Sequence, residues 1–354
     1  MKFSKTLIAW YLKNKRELPW RQTNNPYFIW LSEIILQQTR VDQGLDYYLR
    51  FIKAYPTVFL LANAKENEVL KLWQGLGYYS RARNLHASAK YIVDECEGKF
   101  PNTYNDIIKL KGVGDYTASA IASIAFNEPT AVVDGNVYRV LSRYFGVETP
   151  INSTNGIKEF KLLAQEVLNH KDPATHNQAI MEYGARICTP QKPNCSTCKL
   201  SDSCIAYAKN QISQLPIKLK KLKIRKRHFN YIVLQTNDGD TIIKERTGKG
   251  IWQNLYEFPL IEAESTLSIK ELLNHKEFEV LIGDATSSIK QFNSTPIVHK
   301  LSHQHLYTTF WLVKCKQLDT ATTSWKKVED YPVPILIHNF IQELKASEFF
   351  STFG

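Results

Sequence analysis

The chain is 354 residues long, 44% hydrophobic and 22% charged, and 45 Lys+Arg against 34 Asp+Glu leave a formal charge of +11. This composition suits a packed globular protein, with a length that favours two domains over one. No apolar run approaches the roughly 18 residues of a membrane-spanning helix, and the positive excess favours a polyanionic partner, most commonly nucleic acid.

The first element is a helix. In MKFSKTLIAWYLKNKR, Phe3, Leu7, Trp10 and Tyr11 recur at helical spacing. The apolar stretch is short, ends in Lys13, Lys15 and Arg16, and lacks a small-residue cleavage site, so it does not read as a signal peptide. A cytoplasmic, nucleoid-associated location is expected. Segments such as WLSEIILQQTRVDQGLDYYLRFI and NGIKEFKLLAQEVL continue the three- and four-residue spacing, joined by loops carrying Pro, Gly and Asn. A helical domain over residues 1–214 is expected.

Two acids stand out within it. Glu33 lies among apolar neighbours in WLSEIILQQTRV, and Asp134 precedes Gly135 in AVVDGNVYRVL, at an expected helix start. Singly, each reads as a buried acid or a helix cap. As a pair they suit cleavage of a glycosidic bond, in which one group protonates the leaving group and the other stabilises the sugar cation. An acid in apolar surroundings has the raised pKa that a proton donor needs.

Between them runs LKGVGDYTASAIASIAF. Thr103–Leu110 reads as a short helix, Lys111–Asp115 as a turn and Tyr116–Phe126 as a second helix. Gly112-Val113-Gly114 would let backbone amides at the second helix start meet a phosphate oxygen; a packing turn explains the glycines equally well. Ala118, Ser119, Ala120, Ala122, Ser123 and Ala125 suit close helix packing.

Four of the six cysteines follow as Cys188-x6-Cys195-x2-Cys198-x5-Cys204. One C-x2-C pair within a four-thiol loop suits an iron–sulfur cubane, with zinc as the alternative. Cys96 and Cys315 read as ordinary thiols. Ile217–His228 then holds seven Lys/Arg in twelve residues, a linker (215–228) that either tethers inertly or also lies along phosphates. Residues 229–354 read as a smaller α/β domain. A hairpin is expected around Asn237–Asp240, one or two strands over Ile297–Cys315, and helices over Leu267–His275 and Pro334–Ser347.

The cysteine spacing resembles the iron–sulfur loop of the endonuclease III superfamily of DNA glycosylases, and the glycine turn resembles that superfamily's helix–hairpin–helix. Taken with LSEIILQQTRV, GLGYYSRARNL and VDGNVYRVL in the same order, most of residues 1–210 resemble the adenine DNA glycosylases of the MutY family. The resemblance implies a [4Fe-4S] cluster on Cys188, Cys195, Cys198 and Cys204. It implies a monomer acting on double-stranded DNA that carries adenine opposite 8-oxoguanine or guanine.

By the same resemblance Glu33 protonates adenine at N7, Asp134 stabilises the sugar, and Asn136 and Tyr116 complete the pocket. Arg16, Leu18, Trp20 and Arg21 resemble the adenine-pocket segment, and Gln178 an adenine-reading position. Gln38 matches the wedge that fills the vacated stack. Tyr78 matches an intercalating tyrosine beside 8-oxoguanine, although Tyr78 and Tyr79 also read as core aromatics. Arg81 and Arg83 are generic phosphate candidates. Bifunctional relatives carry a Schiff-base lysine where Tyr116 stands, which implies base removal without strand cleavage.

Gly250–Pro259 resembles the family's Nudix-like C-terminal domain, and no R-E-x-x-E-E helix accompanies it, so binding without hydrolysis is expected. Leu301-Ser302-His303 resembles the loop that reads 8-oxoguanine, with leucine where many members have phenylalanine. Two other readings stay open: a pyrimidine-mismatch glycosylase with lyase activity, and a non-catalytic iron–sulfur DNA-binding protein. Tyr116 and the C-terminal domain speak against the first, the Glu33/Asp134 pair against the second.

Overall fold

Capping residues set the helix starts along the first two hundred positions. Asn25, Thr57, Thr103, Asp134, Ser153 and Asp172 each accept a hydrogen bond from a first-turn amide, and Pro26 and Pro173 occupy first helical positions. A computed structural model describes residues 2–219, 224–282, 286–316 and 322–347. The helices of the first part are α1 (Lys2–Asn14), α2 (Pro26–Leu36), α3 (Val41–Ala54), α4 (Val58–Asn63), α5 (Glu66–Leu72), α6 (Ser80–Glu95), α7 (Tyr104–Ile107), α8 (Asp115–Phe126), α9 (Gly135–Phe145), α10 (Thr154–Val167), α11 (Pro173–Arg186) and α12 (Ile205–Ala208). None among the described residues is long and apolar enough to cross a membrane.

Two compact units emerge. One joins residues 1–64 to 83–220; the other joins 65–82 to 221–354. The core of the first unit gathers Phe3, Leu7 and Tyr11 of α1 with Val137 and Leu141 of α9, Phe160 of α10 and Ala179, Ile180 and Tyr183 of α11. In α8, Ala118, Ser119, Ala120, Ala122 and Ser123 are buried, and α8 packs against both α2 and α11. Small side chains permit that approach. The two helices of the hairpin are shifted slightly from the expected bounds, with α8 starting one residue earlier, at Asp115.

Residues 65–82 sit among helices in the sequence but pack in the second unit. The Lys71 ammonium donates to the carbonyls of Glu329 and Tyr331, and Gln74 Oε1 accepts from the Val333 amide at 3.2 Å. The Tyr79 hydroxyl donates to the Val333 carbonyl, and Asn254 donates to Glu66. These are polar contacts spanning nearly two hundred residues or more, which composition does not reveal.

The second unit is built on β1 (Arg225–Thr236), β2 (Asp240–Thr241), β3 (Lys244–Glu245), β4 (Tyr256–Glu257), β5 (Leu260–Ala263), β6 (Thr286–Gln291), β7 (Ile297–Lys300), β8 (Gln304–Cys315) and β9 (Thr323–Ser324), with α13 (Ile269–Leu273), α14 (Lys276–Ile282) and α15 (Ile335–Ala346). The main sheet runs β5-β1-β8-β6, with β7 also on β8. β1 and β8 are parallel, from Arg225 opposite Gln304 to Thr236 opposite Cys315. Both faces are covered, so the middles of these central strands, Phe229–Leu234 and Thr308–Val313, are buried without alternation. Ile232, Leu234, Trp311 and Val313 pack with Leu272, Phe278 and Ile282. On the other side Phe310 stacks on Phe340 of α15, with ring centroids 3.9 Å apart.

Two expectations are corrected. The turn after β1 forms, with Gly239 at φ +78 and its amide bonded to the Thr236 carbonyl, but β2 pairs with β9 and not with β1. β8 covers one edge of β1 along its whole length, and β5 pairs the other edge from His228 to Tyr231. The basic run is also shorter as a connector, because Arg225–His228 open β1 opposite Gln304–Tyr307. Ile217 accepts from the Ile151 amide, so that end lies on the helical unit; Lys220–Lys223 fall outside the described residues. Removing the stacked ring by Phe340→Ala should cost about 3–5 kcal/mol, read as a lower urea midpoint for the C-terminal unit; a loss under about 1 kcal/mol would show that the α15 face carries little of its stability.

Candidate active site

Glu33, Tyr116 and Asp134 meet because α2, α8 and the start of α9 converge on one cavity of about 210 Å³. Its lining includes Arg16, Leu18, Trp20, Arg21, Glu33, Tyr116, Asp134, Asn136 and Gln178, along with Ser32, Met181 and Glu182. The structure thus gathers residues spread over more than 160 positions of sequence. The Tyr116 hydroxyl donates to Glu33 Oε2 at 2.8 Å and lies 3.4 Å from Met181 Sδ.

The two acids differ in their surroundings. Burial pushes the Glu33 carboxyl up to about 7; the Tyr116 hydrogen bond opposes this, the Asp134 charge adds to it, and Arg21 opposes it. Asp134 is the N-cap of α9. Burial raises its pKa too, but its carboxylate accepts from the amides of Val137 (2.7 Å) and Asn136 (2.8 Å) and from Asn136 Nδ2 (2.7 Å), which hold it towards the charged form. One acid is poised to carry a proton at neutral pH, and at the other amide donors oppose the effect of burial. Burial also keeps the Tyr116 phenol well above its ordinary pKa.

Glu182 was not foreseen. Its side chain is 1% exposed and takes a bidentate pair from Arg16 (Nε and Nη2, each 2.7 Å) and a third bond from Arg21 Nη2 at 2.7 Å. Burial alone would raise its pKa, but the bonds from Arg16 and Arg21 outweigh it and hold the carboxyl at about 2. Two arginines of the predicted pocket segment are thereby fixed by one carboxylate of α11. The available signal was spacing: Glu182 is four residues beyond Gln178 and so shares its helix face.

Arg139 was missed for a similar reason. A buried residue of α9, it donates to the Cys188 carbonyl (2.6 Å), to Gly184 O (2.5 Å) and to Asn136 Oδ1 (2.8 Å), joining the turn that holds Asp134 to the start of the cysteine loop. Arg143 donates to Cys188 Sγ (3.4 Å) and to the carbonyls of Thr189 and Pro190. The Tyr183 hydroxyl lies 3.1 Å from Cys198 Sγ. Four half-buried thiols, with cationic and hydroxyl donors at two of them, form a donor set that fits an iron–sulfur cluster. Among the described residues no group of three or more His, Cys, Asp or Glu closes around a single ion; the fit rests on the donor set and its surroundings.

The remaining predicted residues lie elsewhere. Gln38 falls just past the end of α2, exposed and at φ +56, outside the cavity lining. Gly112, at φ +80, is required by the turn, since a Cβ would meet Asn84 at 2.7 Å; a Cβ at Gly114 would meet nothing within 4 Å. Val113 is buried. In the second unit Tyr78, 48% exposed, hydrogen-bonds Ser302 Oγ at 2.6 Å, while Tyr79 is core. Leu301, Ser302 and His303 form the turn between β7 and β8, held by Leu301 N to Gln304 O and Arg225 N to His303 O. Arg81 is corrected: it is buried over the Trp73 and Tyr78 rings and donates to the carbonyls of Leu76 and Gly77, which removes it from the phosphate candidates.

Glu182→Ala would strand two arginines and should destabilise the helical unit by about 3–5 kcal/mol, measured by denaturant titration. The folded-state value lies below the unfolded one of about 4.3, so the wild-type advantage is complete above that pH and disappears as pH falls through about 2. An unchanged midpoint at neutral pH would remove Glu182 from the scaffold of the site.

Comparison with known proteins follows the same division. Residues 31–165 match the HhH-GPD superfamily of base excision DNA repair proteins, and residues 230–343 match the NUDIX domain. An adenine DNA glycosylase of Buchnera aphidicola subsp. Baizongia pistaciae is 36% identical over 319 residues, 88% of this chain and 86% of that protein. An adenine DNA glycosylase of Homo sapiens is 43% identical over 222 residues, 60% of this chain and 41% of that protein. A solved structure of a thermostable thymine-DNA glycosylase superposes with a TM-score of 0.55 at 31% identity, over 59% of this chain and 96% of that one. With the HhH-GPD match and an adenine DNA glycosylase 36% identical over most of both chains, the chain belongs to the adenine DNA glycosylase (MutY) family of DNA N-glycosylases.

Proposed function

We propose that the protein acts as a monomer on double-stranded DNA, hydrolysing the N-glycosidic bond of adenine paired with 8-oxoguanine or guanine and leaving the strand intact. The observation that carries this reading is the half-buried Glu33 carboxyl, held by Tyr116 in the same cavity as an amide-solvated Asp134. A base inside the duplex is out of reach, so adenine must first be flipped out. Glu33, protonated near neutral pH, donates its proton to N7. The carbon–nitrogen bond then breaks with its electron pair leaving on adenine, and the positive charge on the sugar is stabilised by the Asp134 carboxylate until water adds. Leu18 and Trp20 give the cavity apolar walls, and Gln178 offers a carboxamide to the base.

Retention of the strand rests on residue chemistry. Tyr116 stands where a Schiff-base lysine would be needed, a phenol cannot form one, and among the described residues no lysine lines the cavity. The same proposal assigns base removal to residues 1–214 apart from 65–82, with the run from Leu215 to the start of β1 at Arg225 as the connector. Residues 229–354, joined by 65–82, read the partner base through Tyr78, Leu301, Ser302 and His303. Gln38 is the wedge, and Gly112, Val113 and Gly114 present a backbone contact to phosphate. Cys188, Cys195, Cys198 and Cys204 would hold a [4Fe-4S] cluster, which when bound supplies a structural crosslink for the loop.

Duplexes containing A opposite 8-oxoguanine, T opposite G, or an oxidised pyrimidine separate the readings. Breakage only after alkali and only for the first duplex is expected; efficient cleavage without alkali would overturn the assignment of Tyr116. Because the active form of Glu33 is protonated, single-turnover excision should fall as pH rises through about 7, and Glu33→Gln should lose about 10²–10⁴-fold while still binding DNA.

The Tyr78–Ser302 contact gives a separate expectation. Ser302→Ala with His303→Ala should lower the ratio of excision opposite 8-oxoguanine to that opposite guanine while leaving excision opposite guanine nearly unchanged. An unaltered ratio would move lesion reading to another surface.

A further inference from the structure

Behind the cavity wall, and not lining it, stands Tyr11 of α1, 4% exposed. Its hydroxyl donates to Gln178 Oε1 at 3.0 Å, and the Arg21 guanidinium lies 5.5 Å over its ring. Both partners line the cavity. One side chain near the N-terminus therefore supports two lining groups brought in by α11 and by the turn at Pro19–Arg21.

A glutamine carboxamide carries two N–H donors and an oxygen with two lone pairs. Its terminal torsion is broad and roughly twofold, so its plane is not set by the side chain itself. The Tyr11 hydroxyl occupies one lone pair of Oε1. The second lone pair and the amide –NH2 remain, side by side in one plane. Adenine presents the complement, an exocyclic amino donor next to a ring-nitrogen acceptor, and a glutamine can engage both at once.

We infer that Tyr11 is a positioning residue for base recognition: its hydroxyl fixes the plane of the Gln178 carboxamide, so that both halves of the amide meet the amino edge of the flipped adenine. This rests on the reading of the cavity as an adenine site. The hydroxyl role is separable from packing, because the ring sits in the core with Phe3 and Leu7 and beneath Arg21 whether or not the hydroxyl is present.

The test is single-turnover excision below saturation on duplexes carrying adenine, or purine lacking the amino group, opposite 8-oxoguanine. Wild type, Tyr11→Phe, Gln178→Ala and the double variant are compared, with melting curves for each. Tyr11→Phe should fold normally, slow adenine excision about 5–10-fold and alter purine excision by less than about twofold, so that the adenine-to-purine ratio falls. In the Gln178→Ala background the same change should add nothing. An unchanged ratio, an equal loss on both bases, or additive losses in the double variant would each overturn the inference and leave Tyr11 a packing residue. A wild-type protein that excises no adenine would instead overturn the reading of the cavity, and this inference with it.

Discussion

The site depends on how closely α8 can approach its neighbours. Ala118, Ala120, Ala122 and the serines between them leave little side chain in the way, so α8 reaches α2 on one side and α11 on the other. Tyr116, in the first turn of α8, then meets Glu33 from α2 and Met181 from α11. Larger residues at these positions would push the helices apart and open the hydrogen bond between phenol and carboxyl. The glycine turn ahead of α8 has a separate task, since Gly112 turns the chain tightly against Asn84.

Within that frame the cavity separates its carboxyl groups by environment. Glu33 is desolvated with only a phenol donor, so its neutral form is favoured. Asp134 is equally enclosed but caps a helix, and amide hydrogen bonds support its charge. Glu182 is buried yet ionised, because two guanidiniums converge on it. Three similar side chains thus have three different protonation behaviours, each decided by which donors surround the carboxyl. Buried ion pairs of this kind contribute geometry more than net stability, and here the geometry is that of Arg16 and Arg21 at the cavity wall.

Much of the candidate site was legible in the sequence, because its residues lie in short motifs whose local logic survives out of context. Asp134-Gly135-Asn136 is a cap written in three residues, and the Gly-Val-Gly turn likewise. Leu301-Ser302-His303 falls between two alternating segments that become β7 and β8. The supporting residues were not legible. Glu182, Arg139 and Tyr11 act on partners between 3 and 167 positions away, and each looks in sequence like an ordinary helix residue. Arg81 misled for the opposite reason, since a surface-like arginine in a basic protein is in fact enclosed by aromatic rings.

By itself the sequence determined the helical and strand-rich halves, the helix starts, the four-thiol loop and the residue types that a glycosylase cavity needs. These follow from periodicity, capping and side-chain chemistry, all of which act over a few residues. Only the tertiary structure decided which strands pair, because β1 lies beside β5 and β8, and β2 pairs with β9, all brought together from distant parts of the chain. It alone transferred residues 65–82 to the C-terminal unit, through polar contacts to Glu329, Tyr331 and Val333. It also decided that Glu33 loses its water and Glu182 keeps its charge, since desolvation and ion pairing depend on neighbours that the chain supplies from far away.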